Sequence, residues 1–213
     1  MTYDYWPMFD IALTTRDLEL RHLTEADLPA LARTLPPDVE LDPAATMYDG
    51  LDKARRRGVV THQEYWKSRG SWCAQSWALS FGVFHDDELI GSQGLEGDDF
   101  AMLRTVDSSS FLAPAARGLG LGKQMRSAVL ALAFGPLGAE HAITSAWHDN
   151  AASLGVSRAL GYVDNGLTMH RRGEVADVMA HMRLSRDGWL ASGSSGGVVV
   201  PGVEKCMPSF GLG

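Results

Sequence analysis

Apolar residues recur at Met125, Ala128, Val129, Leu132 and Ala133. This is the i, i+3, i+4, i+7, i+8 spacing of one helix face, and it predicts an amphipathic helix directly after Lys123. Upstream, residues 18–23 alternate through Leu18 and Leu20 as a short strand does. Thr24, with Asp27 three residues on, then forms an N-cap box, and Leu28, Leu31, Ala32 and Leu35 give the helix it opens a buried face that Pro36 and Pro37 stop. Residues 38–70 are helical but less regular, with Met47, Leu51 and Ala54 on one face and Thr61 as the cap of a second short helix. Residues 77–84 and 88–95 flank His85-Asp86-Asp87 as a β-hairpin, 97–100 make a second turn, and 102–112 form the third strand of the meander. Beyond the amphipathic helix, 142–147 suit a buried strand. Asn150 caps a helix carrying Leu154, Val156 and Leu160, Gly161 ends it, and 162–170 and 175–184 close the pattern as two strands joined at Arg171 to Glu174. A hairpin meander followed by an αβ crossover predicts an α/β fold: a mixed, mostly antiparallel twisted sheet flanked by helices.

Composition narrows the classes. A chain of 213 residues, 45% hydrophobic and 21% charged, suffices for one well-buried domain, expected over residues 1–190. Residues 191–197 have the Gly/Ser composition of a linker, but Val198 to Val200 and Cys206 to Phe210 are apolar. Residues 191–213 are therefore expected to end in a tail that docks on the domain, as an edge strand, or on the partner subunit of a homodimer. A formal charge of −7 argues against a nucleic-acid partner and for attraction of cationic small molecules. Arg55, Arg56 and Arg57 then read as a solvated surface turn. Cys73 and Cys206 match no metal-ligand spacing, so neither a metal nor a disulfide framework is expected. The first ten residues lack a basic start and no run of 18 apolar residues occurs, which makes a cytoplasmic protein without a membrane partner the expectation.

Candidate chemistry centres on Arg117-Gly118-Leu119-Gly120-Leu121-Gly122-Lys123. Glycines at alternate positions clear the side chains from one rim of a turn, so its N–H groups can approach a ligand closely. Placed before a helix, such a loop adds the positive end of the helix dipole and suits a phosphate held against Gly120 and Gly122, with Arg117 and Lys123 at the edges. A dinucleotide fold is the rival, with Asp149 as its ribose-binding acid. Its Gly-x-Gly-x-x-Gly spacing directly after a strand is not met, and no Gly-Lys-Ser/Thr follows for a Walker loop.

Arg117, Gly120 and Gly122 resemble the Arg/Gln-x-x-Gly-x-Gly/Ala pyrophosphate loop of the GCN5-related N-acetyltransferases. Asn150 with Ser153, followed by Leu160-Gly161-Tyr162, is similar to that family's next segment, and residues 16–28 resemble the first strand and helix of its ribosomal-protein N-terminal acetyltransferase branch. The resemblance implies an acyl-CoA N-acyltransferase fold and acetyl-CoA as co-substrate. It also implies direct transfer through a tetrahedral intermediate to a primary amine, either a small cationic amine such as an antibiotic or a peptide N-terminus. Cofactor contacts would come from Phe111, Leu112 and Ala113 along the pantetheine, from Arg117, Gly118, Leu119, Gly120, Leu121, Gly122 and Lys123 around the pyrophosphate, and from Asn150 and Ser153. The variable acceptor wall would fall within residues 38–77, where Tyr48, Tyr65, Trp66 and Trp72 offer aromatic surface or core. The acids Asp38, Glu40, Asp42, Asp49 and Asp52 precede it and lean toward a cationic acceptor.

Acetyl transfer needs a base for the amine, a stabilised oxyanion and a proton for the leaving thiolate. Asp107 is the first candidate base and Glu96 the second, with Asp99 nearby; a structural carboxylate held by Arg104 or a backbone N–H is the alternative. Ser153 is assigned to the thiolate, or else only completes its helical turn. The family's tyrosine seven residues after the asparagine is replaced here by Ser157. That departure leaves a second reading open: an acyl-CoA-binding sensor or interaction module without turnover. His148 reads as structural.

Overall fold

A computed structural model describes residues 5–37, 50–193 and 197–213. The strands are β1 (Ala12–Thr14), β2 (Glu19–His22), β3 (Ser76–His85), β4 (Glu88–Asp98), β5 (Thr105–Asp107), β6 (Ser110–Leu112), β7 (His141–Trp147), β8 (Val163–Arg172) and β9 (Val175–Ser185). The helices are α1 (Leu28–Thr34), α2 (Lys53–Gly70), the single turn α3 (Phe100–Leu103), α4 (Leu121–Phe134), α5 (Ala151–Ala159) and α6 (Arg186–Ala191). One sheet runs β1-β2-β3-β4-β5-β7-β9-β8, with β6 on the edge of β4. Every pairing is antiparallel except β5 with β7.

The helix α4 divides this sheet from solvent on one face. Met125, Ala128, Val129, Leu132 and Ala133 are all at most 4% exposed, and Leu130 and Phe134 are buried as well, so the helix is enclosed almost all round. At about 1.5–3 kcal/mol for each large apolar side chain removed from water, this helix anchors the main core. On the other face α1 and α2 cover a smaller cluster of Leu23, Leu28, Leu31 and Tyr65, against which Leu89 and Phe111 pack. The Thr24–Asp27 box forms, with the Asp27 carboxylate accepting from the Thr24 N–H at 2.8 Å.

Several local expectations change. Residues 53–70 form one helix rather than two: the Asp52 carboxylate caps it by accepting from the Arg55 N–H at 2.8 Å, and Thr61 lies mid-helix with its hydroxyl donating to the Arg57 carbonyl. Arg57 is buried and donates to the Pro36 carbonyl, so the arginine triplet is no solvated turn. Arg57, Val60 and Tyr65 mark the inner face of α2, while Ala54 is exposed; Met47, Tyr48, Asp38, Glu40, Asp42 and Asp49 lie outside the described residues. The third meander strand breaks into α3, β5 and β6, because Asp99 and Arg104 adopt left-handed φ values of 45° and 46° and wind 100–103 into a turn.

The tail packs on the domain. Val199 pairs with Thr14, Trp72 Nε1 donates to the Ser209 carbonyl at 3.0 Å, and Phe210, fully buried, meets Trp77 and Trp72 with ring centroids 4.8 and 5.7 Å away. Among the described residues no helix is long and apolar enough to cross a membrane.

Candidate active site

The site begins where the sheet forks. β5 runs beside β7 up to the pair Asp107 and Ile143, after which β6 stays with β4 and β7 continues with β9. Gly91 permits this. A Cβ there would lie 2.3 Å from the Phe111 carbonyl oxygen, so only glycine lets β6 close against β4 and leave a gap on its other side. The bonds Gly94 N–H to Ser109 O, 2.7 Å, and Ala113 N–H to Ile90 O, 2.8 Å, set the ladder's alternation. Residues 109, 111 and 113 therefore spend their backbone groups on β4, and 110 and 112 turn theirs toward the fork. Of Phe111, Leu112 and Ala113, only Leu112 has its backbone there, its carbonyl accepting from Arg117 Nε at 3.1 Å, and Ser110 joins it. Phe111 instead packs its ring under α1.

The glycine loop lies at the open end of the fork. Gly118 and Gly120 have φ of 77° and 79°, a region closed to most side chains, and Gly120 stands at the N-cap of α4 with no side-chain cap bond. Leu119 and Lys123 are exposed. Of the first-turn N–H groups of α4, that of Lys123 donates back to the Gly120 carbonyl at 3.2 Å, which leaves those of Leu121 and Gly122 as the ones an anion could use. Arg117 is exposed, and its Nε donates to the Leu112 carbonyl at 3.1 Å. Gln124 locks the helix start to the loop before β2, accepting from Thr15 Oγ1 at 3.0 Å and donating to Asp17 at 2.7 Å. Leu112 and Val156 lie against Gly122, which brings α5 to the same rim.

At the closed end of the fork sits Arg126, only 3% exposed. Its guanidinium donates to Thr144 Oγ1 on β7 and Ser110 Oγ on β6, each at 3.3 Å, and Thr144 Oγ1 donates to the Ser108 carbonyl at 3.1 Å. One cation thereby bridges both arms. The Tyr162 hydroxyl lies beside Arg126 and Ser108, and burial raises its pKa. This cluster was absent from the sequence reading; its one signal is an arginine at position 126, next to the apolar stripe of its helix.

Glu96 and Asp107 face each other across β4 and β5. The two candidate bases are thus neighbours. Burial raises the pKa of Glu96 first, then the charges of Asp107 and Asp98 add to the rise, opposed by a hydrogen bond from Ser109. Burial raises Asp107 as well, but the Ser108 N–H, donating at 2.6 Å, and the nearby Arg126 and His181 pull it back. Ser153 stands apart on α5, and among the described residues no hydrogen bond joins it to either carboxylate. Its N–H donates to Asn150 Oδ1 at 3.1 Å, so Asn150 is the helix cap, and Ser157, 1% exposed, donates to the Ser153 carbonyl. His148 Nδ1 lies 3.2 Å from the Asp177 carboxylate, and Asp149 is ion-paired with Arg172. Asp99 serves the turn before α3, its N–H donating to the Gln75 carbonyl.

A cavity of ≈ 360 Å³, lined by Arg104, Leu137 and Gly211 among others, has none of these groups in its lining.

A family model described as "Acetyltransferase (GNAT) domain" matches residues 17–163. Among solved structures, RimJ from Mycobacterium smegmatis in complex with CoA-disulfide superimposes with a TM-score of 0.66 at 16% identity, over 88% of this chain and 97% of that one. A chimera of the Vibrio cholerae spermidine N-acetyltransferase SpeG with hSSAT gives 0.64 at 18%, over 82% and 98%. The ribosomal L7/L12 alpha-N-protein acetyltransferase RimL in complex with coenzyme A gives 0.59 at 15%, over 82% and 97%.

Proposed function

The chain belongs to the GNAT acetyltransferase family, with acetyl-CoA as co-substrate, and from that premise we propose that it acetylates a primary amine with Glu96 as the general base. The observation that carries this reading is the pairing of Glu96 with Asp107 at the closed end of the fork. A base works best with a pKa near the operating pH, and like charge plus burial push Glu96 upward from the ordinary carboxylate range. Asp107, tied to the Ser108 N–H and feeling the charge of Arg126, adds its own charge to the larger effect of burial.

Acetyl-CoA brings an activated thioester carbonyl. The uncapped start of α4 would hold its pyrophosphate, the backbone of Ser110 and Leu112 would guide the pantetheine between β6 and β7, and Arg126 keeps the two arms at fixed spacing. Ser153, at the α5 end of the rim, is the hydroxyl we assign to the departing thiolate, because Ser157 is buried and already bonded. RimL and SpeG act, as their descriptions state, on a protein α-amine and on spermidine; both are primary amines, which sets the acceptor class proposed here.

The test is a thermal-shift series with acetyl-CoA and CoA, followed by thiol release over a panel of amines and N-terminal peptides. Stabilisation with release on at least one acceptor supports the enzyme. Stabilisation without release on any would leave a binding module, and no stabilisation would remove the CoA site itself.

A further inference from the structure

One small pocket beside Glu96 is absorbed by neither the CoA site nor the core. It is bounded by Trp6, His22, Arg69 at the end of α2, Trp72, Ala78 and Ser80, and its free volume of ≈ 10 Å³ holds one water-sized group. Ala78 and Ser80 of β3 stand opposite Glu96 and Gly94 of β4. Side chains so paired are about 5 Å apart, so this pocket opens one strand away from the proposed base.

Its polar groups are unusual. His22 is 7% exposed, its ring packs at a tilt on Phe81 and edge-on against Phe9 with centroids 4.9 and 5.5 Å away, and neither ring nitrogen has a hydrogen-bond partner among the described residues. Arg69 spends its two terminal nitrogens on the carbonyls of Tyr65 and Leu23, at 3.1 and 2.9 Å, and its Nε–H is likewise buried without a partner. No ion pair neutralises this guanidinium among the described residues. Glu25, whose charge it feels, accepts instead from Trp66 Nε1. Burial first, and then the neighbouring Arg69 cation, hold the His22 ring neutral, so the ring presents one N–H and one lone pair.

Leaving such groups unpaired is costly, and a ligand that satisfies them gains that cost back. We infer that this pocket receives a carboxylate oxygen of the acceptor, taken by Arg69 Nε–H and a His22 N–H beside the Trp6 and Trp72 rings, so that the substrate is an amine that also carries a carboxylate. The inference rests on the acetyltransferase reading and specifies its acceptor. A bare polyamine would meet an uncompensated guanidinium here. The aromatic walls, with ring centroids 5.6 Å apart in an edge-on arrangement, would pack the apolar part of the same molecule beside the dipole of the bound group.

The test pairs phenylalanine, tryptophan and leucine with their decarboxylated amines, which differ only in the carboxylate. Thiol release from acetyl-CoA and quenching of tryptophan fluorescence are followed in parallel, so binding is read even where turnover is slow. The amino acids are expected to exceed their decarboxylated partners by at least about tenfold in kcat/KM and in binding, because a site built to bond an oxygen rejects the analogue lacking it. Arg69→Met should erase that preference chiefly through a raised KM for the amino acids. His22→Gln, which keeps a donor, should retain part of it. Equal binding of both sets by the wild-type protein, a preference for spermidine, or an equal loss for both sets in Arg69→Met would overturn the inference. If acetyl-CoA stabilises the protein while none of the amino acids binds, the pocket assignment fails and the acetyltransferase reading stands. If acetyl-CoA fails to bind, the reading of the fork fails, and the fluorescence titration judges the pocket by itself.

Discussion

Replacing Asp107 by Asn removes one negative charge from the residue directly opposite Glu96 and keeps an oxygen that can accept the Ser108 N–H. Facing Cβ atoms in an antiparallel pair are about 5 Å apart, which sets the two carboxyl groups about 6 Å apart. Two unit charges at that distance repel by about 0.7–1.4 kcal/mol when the effective dielectric lies between the bulk-water value and half of it, the range suited to a side chain that reaches solvent as Glu96 does. The sign follows from the role. A base acts ionised, so a neighbour that raises its pKa delays activity on the acid side, and removing the neighbour extends activity to lower pH. With each enzyme scaled to its own plateau, Asp107→Asn should run about three- to tenfold faster than wild type on the acidic limb of kcat/KM, read by thiol release from about pH 5 to 9. Glu96→Gln should lose about 10²–10⁴-fold on the plateau and show no such limb. An acidic limb that stays in place in Asp107→Asn, or one that survives in Glu96→Gln, would refute Glu96 as the base.

Three further outcomes test the frame around the site. His22 has its pKa lowered to about 3 by burial and by Arg69, so the unfolded chain binds the extra proton first; stability should fall as pH drops from about 6.5 toward 3, with a slope near 1.4 kcal/mol per pH unit that denaturant titration shows to be missing in His22→Gln. Phe210→Ala should cost about 3–5 kcal/mol in urea unfolding, because that ring is fully buried against Trp72 and Trp77; a loss under about 1 kcal/mol would mean that the tail is not seated as described. Gly91→Ala places a Cβ 2.3 Å from the Phe111 carbonyl, and should raise KM for acetyl-CoA with a smaller effect on kcat, since it moves β6 and not the carboxylates; an unchanged KM would argue against a cofactor path along β6.

What sequence made legible follows the range of the forces involved. The helix face from Met125 to Ala133 and the Thr24–Asp27 box are decided by neighbours within two turns, and both formed as their patterns required. The glycine loop was legible for the same reason: alternate glycines have local consequences, and two of them take positive φ. Residues 102–112 failed because their apolar pattern says strand, while the split into β5 and β6 depends on Gly91 and Gly94 of another strand, on what fits against their missing side chains. The arginines show the same limit most sharply. Arg57 and Arg126 are charged residues in helices, where pattern places them in water. Each is buried because a distant group waits for it: the Pro36 carbonyl for one, Ser110 and Thr144 on two different strands for the other. A buried cation is stable only with its partners in place, so its location is a property of the assembled sheet and has no signature in the spacing of the helix that carries it. The CoA end of the fork, built from a local loop, is readable from the chain. The closed end, where Glu96, Asp107 and Arg126 converge, exists only once five separate segments have met, which is why its chemistry had to be read from the fold.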